Sequence, residues 1–207
     1  MILIPTRFEQ EILTPLLKDA GLADVPVELC GFGPIAAAAR TSQIVALCKP
    51  SALTLIGIAG SYSDQRTIGT AAVFQSVACY GIGVGTGSEF QSAARMGWLQ
   101  WAESDPQLSD QITLNPSAAT DGDQLLTVCA AATSADDVAM RRAAFPDAVA
   151  EDMEGFGVAM ACALANIPLR IVRGISNKAG DRDKSRWKIP EALCAAANLT
   201  KQLLSHE

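Results

Sequence analysis

Residues 151–178, EDMEGFGVAMACALANIPLRIVRGISNK, decide the fold. Three carboxylates in four positions run straight into an apolar stretch that predicts a helix over Met153 to Asn166. Pro168 cannot continue that helix, and the aliphatic run behind it predicts a buried strand over Pro168 to Ile175. Working outward toward the N-terminus, Met1 to Pro5 reads as a strand, Phe8 to Asp19 as a helix, and Val25 to Cys30 as a strand. Ile35 to Cys48 reads as an Ala-rich helix and Ala52 to Ile58 as a buried strand. Strand and helix alternate, which predicts an α/β fold with parallel strands and helices on both faces. The middle is less regular. Ala71 to Cys79 and Leu125 to Ala132 read as strands, Asp136 to Ala144 as a helix and Ala148 to Glu151 as a brief extended run. The glycine-rich Tyr80 to Ser88 must turn, and Phe90 to Asp123 carries no clear period. Pro190 to Ser205 is the closing helix, reached through the polar loop SNKAGDRDKSRWK. That loop follows the carboxyl end of a strand, where open α/β sheets place their ligands.

A chain of 207 residues that is 49% apolar fits one domain, taken here as residues 1–207. Its 22 acidic against 16 basic side chains repel a phosphate backbone, so nucleic acid is a poor partner. No basic segment precedes the first apolar run, and each apolar run is too short to span a bilayer, so no secretory signal or membrane span is expected. Six scattered cysteines form no C-x-x-C pair and read as buried small hydrophobes in a reducing cytoplasm. The one histidine, His206, stands at the C-terminal end, which removes Ser-His-Asp, Cys-His and H-E-x-x-H chemistry and leaves carboxylates and amides as the candidate groups.

Four motifs carry chemistry, each beside a plainer explanation. Gly31-Phe32-Gly33-Pro34-Ile35-Ala36 matches G-x-G-x-x-G/A between a strand and a helix. No acid occurs between Glu28 and Asp64, so the ribose-binding carboxylate of a dinucleotide site is missing and the glycines read as a tight turn. Thr6-Arg7-Phe8-Glu9 has the form of a capping box, which gives Glu9 a structural duty. Glu11 has no such duty and stands near the end of the first strand, although a first-turn glutamate also complements the helix dipole. In Glu151-Asp152-Met153-Glu154-Gly155, Asp152 accounts for helix capping, which leaves Glu154 to accept from the adjacent hydroxyls of a sugar. In Arg173-Gly174-Ile175-Ser176-Asn177, the planar amide of Asn177 offers a donor and an acceptor together, as the O6 and N7–H edge of a 6-oxopurine requires; turn propensity is the plainer account.

Taken together, EDMEGFGVAMACALANIP and RIVRGISNKAGDRDKSRWKIPEAL, with CGFGPIAAAA and GIAGSY, resemble the nucleoside phosphorylase and nucleosidase superfamily, and within it the futalosine hydrolases of menaquinone biosynthesis. The resemblance implies a three-layer α/β/α sandwich with a central mixed, largely parallel sheet of the nucleoside phosphorylase type. It implies hydrolysis of an N-glycosidic bond with release of hypoxanthine, without metal or cofactor, in a cytoplasmic homo-oligomer acting on a small purine nucleoside. It assigns Glu11 as the water-activating base, Glu154 and Met153 to the ribose, Ala59 and Gly60 beneath the nucleoside, and Asn177 to the base. Asp181 is a weak candidate to protonate the leaving base, since an amide cannot. The aromatic carboxylate of futalosine needs a cation, sought in Arg182, Lys184 or Arg186 with Trp187 nearby for stacking. Three readings compete. A methylthioadenosine or adenosylhomocysteine nucleosidase is disfavoured by Asn177 in place of Asp. A 6-oxopurine nucleoside phosphorylase needs an oxyanion cradle, for which only Arg40 and Arg66 stand near the glycine segments. A nucleoside-binding module without catalysis would dispense with Glu11.

Overall fold

A computed structural model describes residues 1–63, 66–114 and 123–205; His206 lies outside them. The backbone of the molecule is a nine-stranded mixed sheet. Its central strand is β3 (Leu53–Ser61), which β1 (Ile2–Ile4) and β11 (Leu169–Lys178) join in parallel, and β2 (Val27–Leu29) extends the sheet beyond β1. Near its carboxyl end β3 also pairs antiparallel with β10 (Ala148–Asp152) through Gly60 and Ser61. Beyond β10 lie β9 (Gln124–Thr127) and β5 (Ser76–Cys79), both parallel, then β8 (Gln111–Thr113), antiparallel to β5. β4 (Ala71–Val73) covers the free edge of β11 in the antiparallel sense.

Helices cover both faces, so the expected three layers are present. α1 (Arg7–Asp19) and α5 (Ile189–Leu204) bury Leu13, Leu17, Leu193, Ala196 and Ala197 against Ile2, Ile4, Ile56 and Val172 on one side. On the other, α2 (Pro34–Cys48) and α4 (Gly155–Leu164) pack with Leu3, Leu55, Phe74 and Ile171. The core faces of β1, β3 and β11 are aliphatic and nearly all fully buried, as sheets covered on both sides require. α3 (Ala135–Ala144) begins in a complete capping box between Ser134 and Asp137.

Small residues set how closely the helices approach. A Cβ on Gly157 would lie 2.2 Å from the carbonyl oxygen of Pro34, so α4 and α2 touch backbone to backbone there. Since the obstructing atom is main chain, Gly157→Ala must part the helices, at about 1–3 kcal/mol for overpacking. For a domain of this size the melting temperature should fall by roughly 2–12 °C; a thermal melt that leaves it unchanged refutes the close packing.

Several expectations need correction. Ala71 to Cys79 is two strands, because β4 pairs with β11 while β5 crosses to β9 and β8. The strand expected over Leu125 to Ala132 ends at Thr127, and the helix expected from Met153 begins at Gly155. β11 runs past Ile175 to Lys178 with a register shift between Ile175 and Asn177. The glycine-rich segment expected to turn holds β6 (Gly83–Val84) and runs into a short 3-10 turn at Gly87–Glu89. The described part of the aperiodic Phe90 to Asp123 holds β7 (Gln91–Ser92), a second 3-10 turn and β8, none long enough to show a period; its residues 115–122 lie outside the described residues. Of the cysteines, Cys30, Cys79 and Cys162 are buried, whereas Cys48, Cys129 and Cys194 are exposed; all six are free thiols.

Candidate active site

The carboxyl ends of β3 and β11 open onto a cavity of about 270 Å³, walled on its other sides by β10, the start of α4 and the first turn of α1. β3 supplies Ile58, Ala59 and Gly60 to its floor, and β11 supplies Ser176 and Asn177. The register shift in β11 leaves Ser176 as an extra residue between Ile175, opposite Ala59, and Asn177, opposite Gly60. The Ser176 hydroxyl donates to Asn177 Oδ1 at 2.8 Å, and Asn177 Nδ2 donates to the Lys178 carbonyl at 2.9 Å. The amide is thereby oriented with one N–H and one lone pair unspent among the described residues.

Glu154 is buried at the foot of α4. Its Oε1 accepts the Gly33 N–H at 3.1 Å, at the first turn of α2, and its Oε2 lies 3.4 Å from Arg173 Nη2. Gly33 can present that amide because it adopts a φ of 83°, a conformation costly for any residue with a Cβ. Burial pushes the Glu154 carboxyl up to about 7; Arg173 and the Gly33 amide work against the rise, while Asp152 and Glu9 add to it. The neighbouring carboxylates are already committed. Glu151 accepts from the Tyr62 hydroxyl, the Ala132 amide and Arg141, which fixes the 128–132 wall of the cavity. Asp152 caps α4 through the Gly155 amide at 2.8 Å, and also takes the Thr127 hydroxyl and Arg173.

Glu9 is the surprise. It is 5% exposed and lines the cavity, with Oε1 accepting the Ile58 N–H at 3.1 Å and Oε2 accepting the Thr6 hydroxyl at 2.6 Å. Thr6 Oγ1 in turn caps α1 through the Glu9 N–H at 3.2 Å. Glu11, expected here, is exposed on α1 and outside the cavity, so the assignment of a water-activating base to it is corrected. Two residues apart on a helix means nearly opposite faces, and α1 turns Glu9 inward with Leu13 and Leu17. That i, i+4, i+8 stripe was the signal in the sequence; the capping duty concealed it.

Met153, Ala59, Gly60, Glu154, Asn177 and Arg182 all line the one cavity. Asp181 does not: its carboxylate takes Arg186 at 2.7 Å and the Asp183 N–H at 2.9 Å, which removes it as a proton donor to a ligand. Among the three candidate cations, Arg182 faces the cavity with its guanidinium 5.2 Å from the Trp187 ring, which also lines it. Lys184 lines a separate groove, and Arg186 is held by Asp181 and Asp183. Arg40 pairs with Glu28 and Arg66 with Asp123, and neither lines the cavity. Sequence reasoning missed Arg173, a fully buried guanidinium beneath the carboxylates, whose only signal was a charge inside an aliphatic strand. Among the described residues no group of three or more His, Cys, Asp or Glu is placed to hold a metal ion, and no helix is long and apolar enough to cross a membrane.

Comparison with known proteins agrees with this fold. The profile of the phosphorylase superfamily matches residues 20–205. A futalosine hydrolase of Streptomyces coelicolor is 30% identical over 178 residues, covering 84% of this chain and 75% of the relative. A 5'-methylthioadenosine/S-adenosylhomocysteine nucleosidase of Maridesulfovibrio salexigens is 24% identical over 200 residues, covering 88% of this chain and 80% of that protein. Among solved structures, the 5'-methylthioadenosine/S-adenosylhomocysteine nucleosidase of Neisseria meningitidis in complex with methylthio-immucillin-A superposes with a TM-score of 0.76 at 18% identity, covering 100% of this chain and 98% of that one. The chain belongs to the phosphorylase superfamily, as one of its nucleosidases.

Proposed function

We propose that this nucleosidase hydrolyses the N-glycosidic bond of futalosine, releasing hypoxanthine, as a cytoplasmic, oligomeric enzyme that uses no cofactor. The observation that carries the reading is the convergence of Glu9, Glu154 and the pre-oriented amide of Asn177 on one cavity. Rupture of the bond leaves positive charge on the sugar, so the surroundings must be anionic, hold water and receive an electron-rich base. Glu154 accepts from the ribose hydroxyls, with Met153 packed beside the sugar and Ala59 and Gly60 beneath it. Glu9 takes the proton of the attacking water. The N–H of Asn177 meets O6 and its oxygen meets N7–H as hypoxanthine leaves, and solvent supplies the N7 proton that an amide cannot give. At the mouth, Arg182 over Trp187 suits an aromatic carboxylate, since guanidinium binds carboxylates bidentately.

Two features favour hydrolysis over phosphorolysis: Arg40 and Arg66 are engaged away from the cavity, and Arg182 is the one cation lining it among the described residues. A methylthioadenosine nucleosidase is the second reading, supported by relatives such as that of Maridesulfovibrio salexigens. The choice between them turns on Asn177. Purine release from futalosine, inosine and methylthioadenosine, each with and without phosphate, tests the reading; phosphate-independent hypoxanthine release from futalosine is expected, and preference for methylthioadenosine overturns it. Asn177→Asp gives the leaving base an acid, and should move the kcat/KM ratio of methylthioadenosine to futalosine upward by about 10²-fold, the worth of one positioned acid.

A further inference from the structure

Arg173 is the largest fully buried side chain among the described residues, and no part of it lines the cavity. It stands on β11 directly across from Gly57 of β3. A Cβ on Gly57 would lie 2.2 Å from Arg173 Nη1 and 2.8 Å from Glu9 Oε1, so the missing side chain is what lets guanidinium and carboxylate flank the same point. Nη2 meets Asp152 Oδ2 at 2.5 Å and Glu154 Oε2 at 3.4 Å. Nε and Nη1 find no hydrogen-bond partner among the described residues. A buried donor left unmade is costly, so a guanidinium that uses one of its three nitrogens is a poor device for stability alone and needs another explanation.

We propose that Arg173 is a positioning residue of the nucleosidase reaction, a shared counter-ion that holds Glu154 in the charged, aimed form that takes the sugar hydroxyls. The inference rests on the reading of Glu154 given above. Three carboxylates on three elements, Glu9 of α1, Asp152 of β10 and Glu154 at the start of α4, surround one cation; the Cys30 thiol beyond β2, pushed up to about 12 by burial, stays neutral beside them. The Gly33 amide of α2 completes the surroundings of Glu154. When every carboxylate is ionised the cluster holds surplus negative charge, which disfavours the ionised enzyme at rest and complements a sugar turning cationic. Arg173 and Asp152 therefore pull Glu154 in opposite directions.

That opposition makes the test. On whichever purine nucleoside the wild type cleaves, kcat/KM is measured against pH for the wild type, Arg173→Gln, Arg173→Lys and Asp152→Asn. Loss of an opposite charge at this range raises a carboxyl by about 1–3 pH units. The acid limb of Arg173→Gln should therefore move up by at least one unit, a tenfold or greater loss at neutral pH that is recovered in base; Arg173→Lys should return the limb toward its wild-type place. Asp152→Asn, whose one oxygen still accepts the Gly155 amide while its NH2 turns to the Thr127 hydroxyl as a donor, should move it down. A merely structural Arg173 would lower the amplitude of every profile and leave the limbs in place, which overturns the proposal. Should Arg173→Gln fail to fold, Asp152→Asn decides alone: an unmoved limb refutes the shared counter-ion. Should no nucleoside be cleaved, the functional reading falls separately. The carboxyl ¹³C resonance of Glu154, assigned by its loss in Glu154→Gln, then reports the same downward movement in Asp152→Asn or refutes it.

Discussion

Glu9→Gln should lower kcat by about 10²–10⁴-fold while KM stays within a few-fold, because the substitution removes the proton acceptor and little else. Glutamine can still accept the Ile58 N–H and still exchange a hydrogen bond with the Thr6 hydroxyl, so the cap of α1 and the melting temperature should survive. Glu11→Gln, on the exposed face of the same helix, should be silent. Steady-state kinetics of the two variants side by side separate the possibilities: equal activity in both removes Glu9 as base, and a loss confined to Glu11→Gln returns the role to the exposed residue.

The second large effect concerns Glu154. Charge-assisted hydrogen bonds are worth about 1.5–3 kcal/mol each, and two to a ribose put the loss of kcat/KM in Glu154→Gln at roughly 10²–10⁴-fold. The carboxyl must be ionised to accept from two hydroxyls, so wild-type kcat/KM should climb from acid and level off above pH about 7, where burial has placed it. Stability runs the other way. A carboxyl whose folded value is raised from its ordinary 4.5 to about 7 gives a contribution that is complete below 4.5 and lost as pH rises through 7. Glu154→Gln has no such loss. Its melting temperature should gain on the wild type between pH 5 and pH 8, while its activity is poorer throughout. A wild type and variant whose melting temperatures run parallel over that interval would show that Glu154 carries no raised pKa.

Much of this was readable beforehand, for reasons that particular residues display. The alternation of strand and helix came through because β3 and β11 are long, aliphatic and buried on both faces, while α1 and α5 are amphipathic. Glu154 and Asn177 were legible as cavity residues because a polar group there interrupts an aliphatic pattern at the end of an element, whereas Met153, Ala59, Gly60 and Arg182 came through the resemblance to the nucleosidases. Glu9 was misread because one carboxylate serves both the cap and the cavity, and the cap alone seemed to account for it. Arg173 escaped because the pattern of an aliphatic strand does not say that its guanidinium reaches Asp152 at the end of β10 and Glu154 before α4. The two short strands β4 and β5, separated by Phe74 and Gln75, looked like one because local pattern does not say that a chain changes partners between them.

β3 is bordered by β1, β11 and β10 at once, and its last residues are the floor of the cavity. The amides of Ile56 to Ser61 should therefore be among the slowest in the protein to exchange with deuterated water, opening only when the whole sheet does. A binding floor tied to global unfolding cannot adapt by yielding locally. Changes of substrate in this lineage should instead accumulate in Arg182, Trp187 and the loop that bears them, which can vary without disturbing the sheet.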